Sequence, residues 1–275
     1  ILIEKQISKF NKKIFVSSDK SISIRTVLLA SQAVGISKIS NLLESEDVLN
    51  ALKTIKKLGI NYRKTGNTYI IEGFGLNGFD TQKEITINAG NSGTLARLIL
   101  WLLVKNKKKV KLIGDKSLSK RDFKRISDPL RKFGASFKLS NKKNLPLKII
   151  GSSNLKPFKY FEKRGSAQCK SSVIFGGMKT EGTTIIKAKK SRNHTEILCK
   201  YLKLPVSCKK MQGYDIIKVN KVKKIKALNY KIPSDISSSA FFIVLTALSE
   251  NSKLTIKNVS INPSRIGIIK ILRWY

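Results

Sequence analysis

Four stretches of the 275-residue chain repeat one pattern of polar and hydrophobic positions. Each begins with small polar residues, continues as an apolar run of helical length, breaks at a polar or glycine-bearing segment and ends in alternating, strand-like residues. The stretches start at Ser21, Asn91, Ser166 and Ser237, which gives a period of about 70 to 75 residues. Such a period predicts a repeated supersecondary unit.

A second helix and a pair of strands follow each of the first three apolar runs. In SEDVLNALKTIKKLGI, hydrophobic residues recur at helical spacing and line one face, while the other face is charged. Comparable segments, RISDPLRKFGA and HTEILCKYLKL, follow the next two runs, and strand pairs such as INYRKTGNTYIIEG turn at Gly-Asn. The predicted unit is therefore βαβαββ, with a buried first helix and a second helix at the surface.

The repeats also predict how the chain divides into domains. We expect an α/β fold in which residues 19–229 form a first domain of three βαβαββ units, with inner parallel helices and outer sheets. Residues 1–18 and 230–275 are expected to belong to a second domain. Because the fourth copy reaches Tyr275 within its second helix, we interpret this second domain as incomplete. Its apolar helix AFFIVLTAL is then expected to lack partners and to promote aggregation.

The composition narrows the class of protein. Hydrophobic residues make up 41% of the chain, which is enough for more than one packed core. No segment has the roughly 20 uninterrupted apolar residues of a membrane span, because Arg97 interrupts the best candidate. The three cysteines have no CxxC spacing and argue against a disulfide framework. We expect a cytoplasmic protein without a membrane partner.

The net charge of +38 raises the question of a nucleic-acid partner. Lysine outnumbers arginine and lies in every segment, as in KNKKKVK and KVKKIKA, without aromatic residues interleaved as stacking platforms. This pattern favours solvated, lysine-rich faces over nucleic-acid binding. A minority of the basic residues would then serve a site for small anions.

The starts of the four apolar helices are candidate anion sites. A helix start carries unpaired backbone N–H groups and the positive end of the helix dipole, which suit phosphate or carboxylate. Serine, asparagine and glycine fit there because they cap the helix or allow close backbone approach. Cations or polar donors stand beside three of the four starts, namely Lys20, Arg25, Arg97, Gln168 and Lys170. We therefore predict a site for a multiply anionic small molecule.

Six short motifs, in order along the chain, carry a family resemblance. They are DKSISIR, GNSGT, GDKSLSKR, SAQCKS, SRNHTE and the segment PSDISSSAFF followed by NPSRIGI. Together they resemble the EPSP synthase (3-phosphoshikimate 1-carboxyvinyltransferase) family over essentially the whole chain. The resemblance implies two domains of three βαβαββ units each. It also implies transfer of the enolpyruvyl group of phosphoenolpyruvate to the 5-hydroxyl of shikimate 3-phosphate, with release of phosphate, in aromatic amino acid biosynthesis.

The resemblance assigns residues to each substrate. The residues matched to shikimate 3-phosphate are Lys20, Ser21, Arg25, Ser166, Ala167, Gln168 and Arg192. Those matched to phosphoenolpyruvate are Lys20, Asn91, Gly93, Thr94, Arg121 and Gln168. The catalytic acid and base groups are expected beyond Tyr275, so this chain is expected to bind its substrates but to turn over poorly. The resemblance implies no cofactor, no metal and a monomer when the protein is full length.

The sequence departs from the family pattern after Arg121, and it leaves two alternative functions open. Asp122 follows Arg121 where the family usually has proline, which puts a carboxylate near an anion site.

The first alternative is the sister enolpyruvyl transfer to UDP-N-acetylglucosamine. That enzyme usually relies on a loop cysteine, and GDKSLSKR contains none. The second alternative is a noncatalytic basic protein that binds nucleic acid.

Two further residues invite a functional interpretation that we do not favour. His194, the single histidine, has no His, Cys or carboxylate beside it at metal-ligand spacing, so we predict hydrogen bonding at a helix start. Cys169 has no evident general base and is predicted to be a small buried side chain.

Overall fold

A computed structural model describes residues 9–77, 79 and 83–273. Its strands are Asn11–Ile14 (β1), Ala33–Ser40 (β2), Tyr62–Thr65 (β3), Thr68–Phe74 (β4), Ile85–Asn88 (β5), Val110–Ile113 (β6), Ser136–Ser140 (β7), Asn144–Ile150 (β8), Lys159–Glu162 (β9), Thr183–Lys189 (β10), Val206–Lys210 (β11), Tyr214–Asn220 (β12), Ile225–Lys226 (β13), Asn229–Lys231 (β14) and Lys253–Ile256 (β15). Its helices are Lys20–Ser31 (α1), Glu46–Lys57 (α2), Gly93–Leu102 (α3), Lys116–Ser119 (α4), Lys124–Lys132 (α5), Ala167–Gly177 (α6), His194–Tyr201 (α7), Ile236–Ala247 (α8) and Gly267–Leu272 (α9). The four apolar helices α1, α3, α6 and α8 begin within two residues of the starts predicted from the repeat.

Three sheets share one strand order, which is the structural form of the repeat. The second unit gives β5-β6-β8-β7 and the third gives β9-β10-β12-β11. In each, the first two strands are parallel and flank an apolar helix, and the last two form an antiparallel hairpin. The first unit gives β13-β2-β4-β3, with β14 also paired to β2. The predicted α/β fold of repeated βαβαββ units is therefore confirmed.

The strand that completes the first sheet comes from late in the chain. β13 and β14 run parallel to β2 at the position that β5 and β9 hold in the other two sheets. The early strand β1 instead pairs in parallel with β15, with Asn11 opposite Lys253. The division into residues 19–229 and 1–18 with 230–275 stays a prediction, and residues 1–8 and 274–275 of it lie outside the described residues.

The apolar helices of the first three units form the core. α3 packs against α1 and α6, and most of the residues of these three helices are buried. Trp101 of α3 and Phe175 of α6 stack with their ring centroids 4.7 Å apart, and both are fully buried. Burial of each large apolar side chain contributes about 1.5–3 kcal/mol, so this bundle fixes where the three helix starts lie.

The second helix of each unit lies at the surface, as its amphipathic pattern predicts. In α2 the hydrophobic residues Val48, Ala51, Leu52 and Ile55 are buried. Acidic residues occupy its first turn and lysines its last turn, as the helix dipole favours.

The fourth apolar helix, α8, is packed less completely than the other three. Ile236 and Ser239 are its buried residues, whereas Phe241 is 80% exposed. Among the described helices, none combines the length and the hydrophobicity needed to cross a membrane.

Candidate anion-binding site

Each apolar helix of the first three units begins with a side-chain cap. Asp19 Oδ1 accepts the N–H of Ile22 at 2.8 Å. Ser92 Oγ accepts the N–H of Leu95 at 3.3 Å, and Ser166 Oγ accepts the N–H of Cys169 at the same distance. The small polar residues of the repeat thus cap the helices, and further N–H groups of the first turn remain available to a ligand.

The starts of α3 and α6 meet through a network of side chains. Arg97 Nη1 donates to Gln168 Oε1 at 2.6 Å, and Gln168 Nε2 donates to Thr94 Oγ1 at 3.0 Å. Both ends of the Gln168 amide are therefore engaged, which fixes its orientation. Burial, together with the charges of Arg125 and Arg121, lowers the pKa of Arg97 to about 10. Arg97 stays charged at neutral pH and lies within a group of arginines.

Arg25 ties the start of α1 to the third unit. Its Nε donates to Thr195 Oγ1 at 2.9 Å, its Nη2 to Ser171 Oγ at 3.2 Å and its Nη1 to the Ser21 carbonyl at 2.9 Å. The pKa of Arg25 is lowered to about 10, because the effect of burial outweighs that of the Glu196 and Asp19 carboxylates, which raise it. Sequence reasoning found Arg25 but missed Ser171 and Thr195, because neither their type nor their spacing distinguishes them from other hydroxyl residues.

Lys20 forms an ion pair with Asp47, with 2.8 Å between Nζ and Oδ2. Partial burial raises the pKa of Asp47, but hydrogen bonds from Lys20 and Ser92 outweigh it and hold that pKa below its usual value. Asp47 belongs to the first turn of α2, as predicted. It also holds Lys20 between the starts of α1 and α3.

Gly93 lies where a side chain would displace arginines. A Cβ atom there would lie 2.8 Å from Arg121 Nη1 and 3.1 Å from Arg97 Nη1. Arg121 Nη2 in turn donates to Asn91 Oδ1 at 3.2 Å. The predicted phosphoenolpyruvate residues Asn91, Gly93 and Arg121 are therefore adjacent, and the backbone of Gly93 faces two guanidinium groups.

A cavity of about 490 Å³ opens beside the start of α6. Its lining contains four predicted residues for shikimate 3-phosphate, namely Ser166, Ala167, Gln168 and Arg192. It also contains four residues that sequence reasoning missed, namely Arg125, Arg164, Gly165 and Ser191. Lys20, Ser21 and Arg25 do not line this cavity. A cavity with three arginines and two serines suits a phosphorylated ligand.

The carboxylate of Glu162 shapes the turn that leads into α6. It accepts the backbone N–H of Arg164 at 3.1 Å and that of Ser166 at 2.8 Å. Gly165, between them, has a φ of 69°, in the left-handed region that favours glycine. The arrangement holds Arg164 and Ser166 on the wall of the cavity.

Asp122, which stands where the family usually has proline, has two contacts. Its Oδ1 accepts the backbone N–H of Lys124 at 2.8 Å, just at the start of α5. Its Oδ2 lies 3.5 Å from Arg164 Nη1. The carboxylate is thus partly neutralised by an arginine of the cavity wall.

Lys170 is not part of the anion site. Its side chain is fully buried, and its Nζ lies 2.7 Å from Glu196 Oε1, which is also buried. The expectation that Lys170 serves the start of α6 as a free cation is wrong, because its position on the helix turns it towards the core and α7. A buried charge of this kind is tolerated when an opposite charge pairs with it.

His194 is the first residue of α7, and its Nε2 lies 3.8 Å from Asp19 Oδ2. Burial, together with the charges of Arg25, Arg265 and Arg192, lowers the pKa of His194 to about 3. The ring is therefore neutral at physiological pH. Within the part of the chain that the structure describes, no group of three His, Cys, Asp or Glu residues could hold a metal ion.

Arg265, from the motif NPSRIGI, connects the fourth unit to the first. Its Nη2 donates to Asp235 Oδ1 at 3.1 Å, and its Nη1 lies 3.6 Å from Asp19 Oδ2. Asp235 and Asp19 are the N-caps of α8 and α1. Sequence reasoning quoted the motif but gave Arg265 no role.

The family profile described as EPSP synthase (3-phosphoshikimate 1-carboxyvinyltransferase) matches residues 4–274. The chain belongs to the EPSP synthase family. The resemblance recognised from the six motifs is therefore confirmed.

Characterised relatives agree with this membership. The chain is 40% identical over 267 residues to the 3-phosphoshikimate 1-carboxyvinyltransferase of Caldicellulosiruptor saccharolyticus, covering 96% of this chain and 61% of the relative. It is 39% identical over 270 residues to the protein of the same name from Oenococcus oeni, covering 98% of this chain and 61% of the relative. The chain spans about three fifths of the length of these EPSP synthase relatives.

A solved structure has the same fold. The EPSP synthase from Acinetobacter baumannii superposes with a TM-score of 0.88 at 33% sequence identity, covering 97% of this chain and 59% of that structure. Over the part compared, the chain therefore has the expected enolpyruvyl transferase architecture.

Proposed function

We propose that the chain binds shikimate 3-phosphate and phosphoenolpyruvate and serves the transfer of the enolpyruvyl group to the 5-hydroxyl of shikimate 3-phosphate. The observation that carries this proposal is the cavity beside α6. Four residues matched to shikimate 3-phosphate from sequence alone line it together. Family membership supports the same reaction.

Two adjoining subsites divide the proposed binding residues. Ser166, Gln168 and Arg192 face the cavity and would hold the phosphate of shikimate 3-phosphate. Asn91, Gly93 and Arg121 adjoin one another at the start of α3 and would hold phosphoenolpyruvate. The Arg97–Gln168–Thr94 network joins the two subsites, so ligands in both would lie side by side.

The chemistry of the reaction fits this arrangement. Overall, the 5-hydroxyl oxygen loses its proton and forms a bond to C2 of the enolpyruvyl group, the bond from C2 to the phosphate oxygen breaks, and inorganic phosphate leaves with that proton. Guanidinium groups such as Arg121 and Arg97 would attract the departing phosphate through charge-assisted hydrogen bonds. The binding residues would also align the hydroxyl with C2, which lowers the entropic part of the barrier.

The remaining expectations about partners stay proposals. The proposed ligands are small anions, and the guanidinium-lined cavity supports them over an extended polyanion. Cys169 and Cys199 are buried as free thiols, which supports a reducing compartment such as the cytoplasm. A monomeric state for the full-length protein is likewise proposed from the family.

Calorimetric titration of the 275-residue chain distinguishes the proposed function from its alternatives. We expect shikimate 3-phosphate to bind with millimolar or tighter affinity and UDP-N-acetylglucosamine not to bind. A duplex DNA titrated at two salt concentrations is the comparison, because nucleic-acid binding weakens steeply with salt. Tight, salt-dependent DNA binding without binding of shikimate 3-phosphate would contradict the proposal.

A further inference from the structure

Arg125 lines the cavity beside α6, although no motif of the sequence points to it. It is the second residue of α5, and it faces the same space as Ser166, Gln168 and Arg192. Its Nε is buried and has no hydrogen-bond partner among the described residues. A buried guanidinium N–H without a partner is costly, and an anion bound in the cavity by the outer nitrogens of the same guanidinium would offset that cost through its charge.

The charges around Arg125 are mostly of its own sign. Its charge contributes to lowering the pKa of Arg97. The nearest acidic residues along the chain are engaged elsewhere, because Asp122 pairs with Arg164 and Asp128 pairs with Arg131. Among the described residues, Arg125 and Arg192 have no carboxylate within ion-pair distance.

The position of Arg125 on its helix is electrostatically unfavourable without a ligand. Lys124 and Arg125 occupy the first turn of α5, where the helix dipole disfavours cations. The one carboxylate at this helix start, Asp122, accepts the Lys124 N–H and is shared with Arg164. The second helices of the other two units have acidic residues in their first turns, namely Glu46 and Asp47 in α2 and Glu196 in α7. The basic first turn of α5 is explained if its N-terminus and Arg125 together face an anion.

We propose that Arg125 is a further ligand-binding residue of this site and that it binds the phosphate of shikimate 3-phosphate opposite Arg192. The inference rests on the proposed function, because it assigns a new contact to the same ligand. Two guanidinium groups and the Ser166 hydroxyl would then surround the phosphate. Arginine suits this position because its planar fork donates two parallel hydrogen bonds to a phosphate.

The test compares variants of two arginines on one helix. Arg125→Met removes the charge but keeps the length of the side chain, and Arg125→Lys keeps the charge but removes the fork. Arg131→Met is the matched control, because Arg131 lies on the same helix but donates to Asp128 and to the Phe137 carbonyl, away from the cavity. Each variant is titrated calorimetrically with shikimate 3-phosphate and with shikimate, which lacks the phosphate, after its melting temperature has been checked.

We expect Arg125→Met to bind shikimate 3-phosphate about 10- to 100-fold more weakly, as befits a lost charged hydrogen bond. Arg125→Lys should fall between this variant and the wild type, and Arg131→Met should match the wild type. Shikimate affinity should not change. If Arg125→Met binds shikimate 3-phosphate as the wild type does, or loses shikimate affinity equally, the role of Arg125 is overturned. If the wild type itself does not bind shikimate 3-phosphate, both this role and the proposed function fail.

Discussion

Arg97 donates from Nη1 to Oε1 of Gln168 at 2.6 Å, although the two residues lie 71 positions apart in sequence, so the starts of two apolar helices share one side-chain network. Neither residue alone would define a site. Their contact brings the glycine-bearing turn before α3 next to the cavity at the start of α6. Because these two helix starts are adjacent, the two proposed ligand subsites adjoin each other.

We predict that Gln168→Leu weakens the binding of both proposed ligands by about tenfold, because it removes the acceptor that positions Arg97 and the amide itself. Thr94→Val removes only the hydroxyl that orients Gln168 and should cost about threefold. Since Thr94 acts through Gln168, the double variant should bind as Gln168→Leu does. Calorimetry on the four proteins gives these values, and additive losses would show that Thr94 contacts a ligand by itself.

Gly93 and Gly73 should respond differently to alanine. In Gly93→Ala, the new methyl group meets the mobile end of Arg121, so we expect weaker binding of phosphoenolpyruvate with a nearly unchanged melting temperature. In Gly73→Ala, it would lie 2.3 Å from the backbone oxygen of Ala30, which cannot move so easily. We expect that variant to lose about 3 kcal/mol of stability. A large fall in the melting temperature of Gly93→Ala would show that Gly93 is needed for folding instead.

Arg164 should act on ligand binding by neutralising the Asp122 carboxylate at the cavity wall. We predict that Arg164→Met weakens the binding of shikimate 3-phosphate by about threefold, because it leaves the Asp122 carboxylate unpaired beside an anion. Adding Asp122→Ala should restore most of this affinity. Titration of the wild type, the two single variants and the double variant checks the pattern. No recovery in the double variant would mean that Arg164 acts on the ligand directly.

Lys179 should make the stability of the protein depend on pH above neutrality. Its Nζ is buried, donates to the Leu102 carbonyl at 3.0 Å and lies over the Trp101 ring. Burial, and to a smaller extent the charge of Lys105, lowers the pKa of Lys179 to about 7. Between about pH 7 and its unfolded pKa of about 10.4, the unfolded chain binds more protons at this site, so its contribution to the free energy of unfolding rises with pH.

The matched variant for this prediction is Lys179→Met. The unfolding free energy of the wild type minus that of Lys179→Met should increase by at most about 1.4 kcal/mol per pH unit over this range. Urea unfolding at several pH values measures that difference. Taking a difference cancels the contributions of the cysteines and other lysines, and a value independent of pH would contradict the lowered pKa.

Local patterns were sufficient to predict the apolar helices of the site and that small polar residues cap such helices. Ser92 and Ser166 stand where a polar residue precedes an apolar run, and that signal depends only on neighbouring residues. The matching strand order of the three sheets follows from the same repeat. The replacement of the first strand of the first sheet by β13 and β14 is different, because it depends on contacts across almost 200 residues.

The missed residues of the site are those whose role depends on packing between units. Thr195 and Ser171 contact Arg25 only because α1, α6 and α7 pack together. Lys170 was misassigned because its charge suggests an anion site, whereas the helix turns it towards buried Glu196. Arg125 did carry a signal, since a cation in the first turn of a helix is unfavourable unless an anion lies near it.

The central claim is that the helix starts at α3 and α6 form two adjoining subsites, with shikimate 3-phosphate in the cavity beside α6. The most direct test is a crystal structure of the chain soaked with this ligand. We predict its phosphate in the cavity beside α6, within hydrogen-bonding distance of Ser166 and Arg192. Ligand density in another place, or an empty cavity at a ligand concentration that saturates binding in solution, would contradict the claim.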